Sequence, residues 1–186
     1  MNKKTTWALI FIIILFSAGY YLYTKDTSIK DEDTTLGEND FDPKNATYNI
    51  DGTNVTLVNG EAETEVAPGS ASKITTWYFG NETYGDLNMD GKEDIAFLIA
   101  QNSGGTGIFY YVVVALKTKD DYKMTNAFFV GDRIAPQTTE INESAGELRV
   151  NFAERKPGEP MTADPSVGVT LYLKVTPDGV LEGLME

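Results

Sequence analysis

The chain has 186 residues, 41% of them hydrophobic, enough for a membrane segment and one folded body. It contains no Cys and no His, which excludes thiolate and imidazole metal sites, disulfides and any His-dependent triad. The formal charge is −13, with 15 basic against 28 acidic residues, a balance that repels nucleic acid and favours cations or basic partners.

Residues 5–24, TTWALIFIIILFSAGYYLYT, carry no charge between Lys4 and Lys25. A helix of about 20 residues spans roughly 30 Å, the thickness of a bilayer core. Trp7 near one end and Tyr20, Tyr21 and Tyr23 near the other suit the two interfaces. Residues 1–25 are therefore expected to form a transmembrane signal-anchor, with Lys3 and Lys4 holding the N-terminus in the cytoplasm. A cleaved signal peptide is the competing reading, with small residues at Ser17–Gly19. Either way the rest of the chain is exported, and the expected address is the bacterial inner membrane with the C-terminal part outside the cytoplasm. Beyond Lys25 the chain holds 12 basic residues against all 28 acidic ones, a formal −16. Residues 26–44 are acidic and poor in large apolar groups, so they read as a flexible tether with a reach of roughly 25 Å.

Residues 45–186 read as an all-β domain. Short runs rich in Val, Ile, Thr, Tyr and Phe are broken by turn residues, and no window sustains a 3.6-residue apolar period. TYNI and TNVTLV flank Asp51-Gly52, a dipeptide suited to a type I′ hairpin turn. KITTWYF, DIAFLIA and IFYYVVVAL follow, and the unbroken apolarity of the last predicts a strand buried on both faces. Next come YKMTNAFFV, RIAPQTTEI with Pro136 marking an edge or bulge, ELRVNFA, VTLYLKV and a Pro-Asp-Gly turn. This spacing points to an antiparallel sandwich or partly open barrel of about eight strands. No repeat of fixed period is present, which argues against a propeller.

Between KITTWYF and DIAFLIA lies GDLNMDGKED. Counted from Asp86, Asp86, Asn88 and Asp90 fall at positions 1, 3 and 5, Gly91 at 6, Lys92 at 7 and Asp94 at 9. That spacing matches the D-x-[DN]-x-[DN]-G opening of a calcium loop: alternate side chains point oxygens to one centre, glycine allows the turn, and the Lys92 carbonyl supplies a backbone oxygen. Asp94 adds a ligand directly or through water. An all-oxygen set favours Ca²⁺ over transition metals. Position 12 is Phe97 where an EF-hand has a bidentate Glu, so affinity should be weak, on the order of 10⁻⁴ to 10⁻³ M. The plainer reading is a polar turn whose Asp and Asn side chains cap their own backbone.

The loop resembles the strand-borne D-x-[DN]-x-D-G-x-x-D loop of integrin-type FG-GAP repeats, over about fourteen residues. That likeness implies an ion site, not a propeller. Together with NIDGTNVTLVNG, APGSASK, GDRIAPQT (131–138) and RKPGEPMTADPSVG (155–168), it also resembles an uncharacterised domain of exported bacterial proteins. This resemblance spans most of residues 45–175 and implies an envelope location, with no assigned activity. In that pattern a second glycine usually stands where this chain has Met89, a departure expected to leave the ligand oxygens undisturbed.

Other motifs are weaker. Ser70 to Lys73 satisfies S-x-x-K, but the helix and partner motifs of a serine β-lactamase are missing. The pairs Glu140 with Glu143 and Glu154 with Glu159 read as solvated carboxylates rather than a glycosidase pair. Trp77, Tyr78, Tyr110 and Tyr111 read as packing, and Arg133 and Arg155 as partners for carboxylates. The function expected is a membrane-anchored, Ca²⁺-stabilised binding or structural module of the cell envelope, meeting an envelope protein or glycan. An envelope hydrolase or hydrolase inhibitor using the Pro-rich 154–166 loop is the alternative, and whether the chain is an enzyme stays open with no catalytic set in view.

Overall fold

The computed structural model describes residues 41–67 and 69–184. The expected spanning helix and most of the expected tether lie outside them. Among the described residues no helix is long and apolar enough to cross a membrane.

The fold is all-β and antiparallel, as the alternation of β-branched and aromatic runs predicts. Twelve strands are described. A hairpin of β1 (Thr47–Ile50) and β2 (Thr53–Thr56) forms a two-stranded sheet. Asp51 and Gly52 at its tip take φ of 49° and 85°, and Ile50 pairs with Thr53, the geometry expected of an Asp-Gly I′ turn.

The central sheet runs in the order β3 (Glu61–Glu65), β4 (Lys73–Gly85), β5 (Asp94–Asn102), β6 (Phe109–Lys117) and β7 (Tyr122–Met124), with β8 (Phe128–Asp132) also pairing β6. The third sheet is ordered β12 (Leu181–Gly183), β11 (Val167–Val175), β10 (Glu147–Glu154) and β9 (Ala135–Asn142).

Strands β5 and β6 carry the fold because both of their faces are covered. Ala96, Leu98, Val112 and Val114 pack against Leu148, Val150, Phe152 and Leu173 of the third sheet. The alternate residues Ile95, Phe97, Ile99 and Val113 pack against Tyr48, Ile50, Val55 and Leu57 of the hairpin. A period of two thus sends one strand's side chains into two separate cores. Phe97 lies at the centre of the second, with Tyr48, Tyr78 and Phe41 rings 5.8 to 6.0 Å away. Phe41 and the first two residues of the 3₁₀ turn Pro43–Asn45 therefore belong to this body, although the sequence places them in the tether. Lys44 also accepts the Gly60 amide through its carbonyl at 2.8 Å.

The architecture is richer than the expected eight strands. YKMTNAFFV divides into β7 and β8 because Thr125 turns inward: its hydroxyl accepts the Val114 amide at 3.1 Å and donates to the Asn126 carbonyl. EAETE, with no apolar alternation to mark it, is the exposed edge strand β3. At Pro136 the β9–β10 register shifts, with Asn151 opposite Thr138 and Phe152 opposite Pro136, as a residue lacking an amide proton requires.

Candidate metal centre

The loop of residues 86–93 joins β4 to β5, and its acidic side chains fold back onto its own amides. Asp86 Oδ1 and Asn88 Oδ1 both accept from the Asp90 amide, at 2.9 and 3.0 Å. Asp86 Oδ2 accepts from the Gly91 amide at 2.8 Å, and Asp90 Oδ1 from the Lys92 amide at 3.0 Å. Met89 and Gly91 hold left-handed φ of 61° and 82°, the alternation that curls the chain around these oxygens.

The five residues singled out by spacing are thus not placed alike. Asp86 and Asn88 converge: sharing one donor, their oxygens stand no more than about 6 Å apart. Asp90 is drawn toward Lys92, whose ammonium lies 2.9 Å from its Oδ2. That ammonium and the Lys92 amide hold the Asp90 carboxyl below the usual carboxylate range.

Asp94 is turned inward and fully buried. Its Oδ2 accepts the amides of Leu87 and Asn88 at 3.0 and 3.3 Å, and its Oδ1 accepts the Lys117 amide at 2.9 Å. One carboxylate thereby ties both ends of the loop to the end of β6. Burial pushes its proton affinity up, against the pull of those three amides. Among the described residues no group of three or more acidic side chains is gathered closely enough to hold a metal by itself. Any ion here would need the Asn88 amide oxygen and a backbone carbonyl as well.

One participant has no signal in the sequence. Glu143, from the β9–β10 turn, accepts the Asp86 amide through Oε1 at 3.1 Å. Gly85 makes room for it, since a Cβ there would lie 2.9 Å from Glu143 Oε1 and 3.0 Å from Ile141 Cγ2. The local pairing of Glu143 with Glu140 conceals this role, which arises from packing across 57 residues.

The remaining candidates resolve into packing and turns. Ser70 lies in the β3–β4 connection and Lys73 opens β4, with no helix at either, and Lys73 pairs with Glu63 at 2.5 Å. Tyr110 and Tyr111 are buried on opposite faces of β6, and Trp77 and Tyr78 pack against the first and second cores. Arg133 pairs with the adjacent Asp132. Arg155 departs from its expected carboxylate: its Nε donates to the Ala163 carbonyl at 2.6 Å and its Nη1 to the Arg133 carbonyl at 2.7 Å. The prolines of 155–166 keep that segment out of any ladder; turns pair the Lys156 and Pro160 carbonyls with backbone amides, and Arg155 serves the Ala163 carbonyl.

No family model matches the chain, and neither a curated protein nor a solved structure does.

Proposed function

We propose that this chain is a membrane-anchored, extracytoplasmic β-domain of a bacterial envelope, of the exported family its motifs resemble, in which the 86–94 loop takes one Ca²⁺ as a stabilising ion. The domain serves as a binding or structural module. Asp86, Asn88, Asp90 and the Lys92 carbonyl are the donors, and Asp94 braces the loop from beneath. The observation that carries this reading is the convergence of Asp86 and Asn88 on a single amide, which brings two hard oxygens together before any ion arrives. Asp90 completes the set by leaving the Lys92 ammonium, an exposed pair of small worth.

The test is a thermal melt of the full chain in a non-ionic detergent, in EDTA and in Ca²⁺ at about ten times the dissociation constant. Mass action then stabilises the folded state by about 1.4 kcal/mol, a rise of roughly 3–6 °C for a body of this size. Asp90→Asn removes the rise while leaving the EDTA melt nearly unchanged; Asp86→Asn removes it too, but lowers the EDTA melt because its NH₂ faces the Asp90 or Gly91 amide. Equal melts with and without Ca²⁺, and no heat on titration, would reject the ion.

A further inference from the structure

Next to the acidic loop the charge inverts. Residues 41–184 hold eleven basic side chains, and four of them, Lys92, Lys117, Lys119 and Lys123, line one cavity of about 560 Å³. The cavity lies between the loop, the end of β6 with the turn after it, and the β11–β12 turn. A neighbouring hollow of about 480 Å³ shares Lys92, Lys117 and Lys119, with Glu93 its one carboxylate. Asp90 is the one carboxylate on the wall of the larger cavity, and it already faces Lys92. Among the described residues none of Lys117, Lys119 and Lys123 forms a salt bridge.

In so acidic a chain, dispersal beside carboxylates would be the cheaper arrangement for these cations. Two of them are held in place instead. Lys123 Nζ donates to the Asp178 carbonyl at 2.8 Å, close over Gly179, where a Cβ would come within 2.8 Å of it. The Lys117 ammonium sits 4.2 Å from the centre of the Tyr122 ring. An ammonium has three donors, so each keeps capacity for an incoming acceptor, and its ordering cost is already met. Leu116, Val175 and Pro177 give the same wall an apolar portion.

We infer that this cavity binds a phosphate ester on a small polyol, of sugar-phosphate size. Several point charges suit a compact dianion, the apolar wall suits an uncharged body, and the volume falls within the range of small-molecule sites. The inference does not rest on the calcium reading, because no loop oxygen is needed to hold the anion.

The experiment is a calcium-free titration of the full chain in a non-ionic polyoxyethylene detergent, followed by NMR. The probes are glucose 1-phosphate, glycerol 1-phosphate, glucose and inorganic phosphate. Both esters are expected to bind at roughly millimolar concentration, weakening as salt shortens the screening length, while glucose does not bind. Tighter binding of glucose 1-phosphate assigns a free sugar phosphate; tighter binding of glycerol 1-phosphate assigns a lipid headgroup or polymer unit. The double substitution Lys117→Gln with Lys119→Gln should weaken binding about tenfold, whereas Lys73→Gln, the same charge change away from the cavity, should not. No response to either ester at ten times that concentration would overturn the inference. So would equal binding by inorganic phosphate, which marks an adventitious ion only, or binding unchanged in a double variant that melts like the parent.

Discussion

Two irregular segments, the acidic loop at 86–93 and the Pro-rich loop at 155–166, solve the same problem with different side chains: carboxylates and an Asn in the first, a carboxylate and a guanidinium in the second. Each leaves the sheet and must satisfy backbone groups that no ladder reaches. In the acidic loop the unpaired groups are amides, and Asp86, Asn88, Asp90 and Asp94 supply the acceptors. In the Pro-rich loop the Glu159 carboxylate accepts the Lys156 amide, while the Arg155 guanidinium donates to the Ala163 carbonyl and, outside the loop, to the Arg133 carbonyl. The difference lies in what is left over. Arg155 places two of its five N–H donors on carbonyls and has no lone pair to offer a cation, whereas the acidic loop gathers acceptors with lone pairs to spare, which is why the ion is proposed for the first segment alone.

The comparison breaks most sharply at Asp94. Its carboxylate is fully buried and accepts three amides, so Asp94→Ala strands all three and opens a gap at the start of β5. A loss of about 3 kcal/mol is expected, read as a fall in the urea midpoint with unchanged slope. Asp94→Asn keeps one acceptor but turns an NH₂ toward an amide, and should lose about half as much. If the alanine variant costs under about 0.5 kcal/mol, the carboxylate is not what fastens the loop.

The Pro-rich loop should respond less. Arg155→Met preserves the stem and removes two charged hydrogen bonds, but the site is only half-buried, so water can reach the orphaned carbonyls. The expected cost is about 1–2 kcal/mol, with faster proteolysis confined to residues 156–166. Equal cleavage in variant and parent would show that the prolines alone order the segment.

The sequence is legible where a signal is local. The Asp51-Gly52 turn, the bulge at Pro136 and the doubly buried β6 follow from residue chemistry and a period of two. The clustering of Asp86 with Asn88 follows from alternation and turn-forming side chains. What escapes is long-range. Glu61–Glu65 offers the second core only Ala62, too weak a signal to mark a strand, and forms one because β4 presents an edge. Glu143 reaches the loop only because two sheets pack. The lysine cavity adds Lys92 to the local cluster Lys117, Lys119 and Lys123, a meeting that only the β5–β6 pairing brings about. Asp94 is the instructive intermediate: its position in the motif is readable, yet its orientation is set by the Lys117 amide on β6.

The smallest expected effect probes whether the loop's backbone or its side chains define it. Met89 holds φ of 61°, a conformation that costs a residue with a Cβ about 1 kcal/mol. Glycine would relieve that cost, but it also enlarges the entropy of the unfolded chain by about 0.5–1 kcal/mol. Met89 is 59% exposed, so little burial is at stake apart from its contact with the Gly146 turn. Met89→Gly should therefore change stability by no more than about 0.5 kcal/mol. Its calcium response should stay that of the parent, since the Asp86 and Asn88 oxygens are held by the Asp90 and Gly91 amides and not by the Met89 side chain. A variant that lost the response while keeping its melting temperature would show that the methionine, and not the turn it occupies, positions the donors.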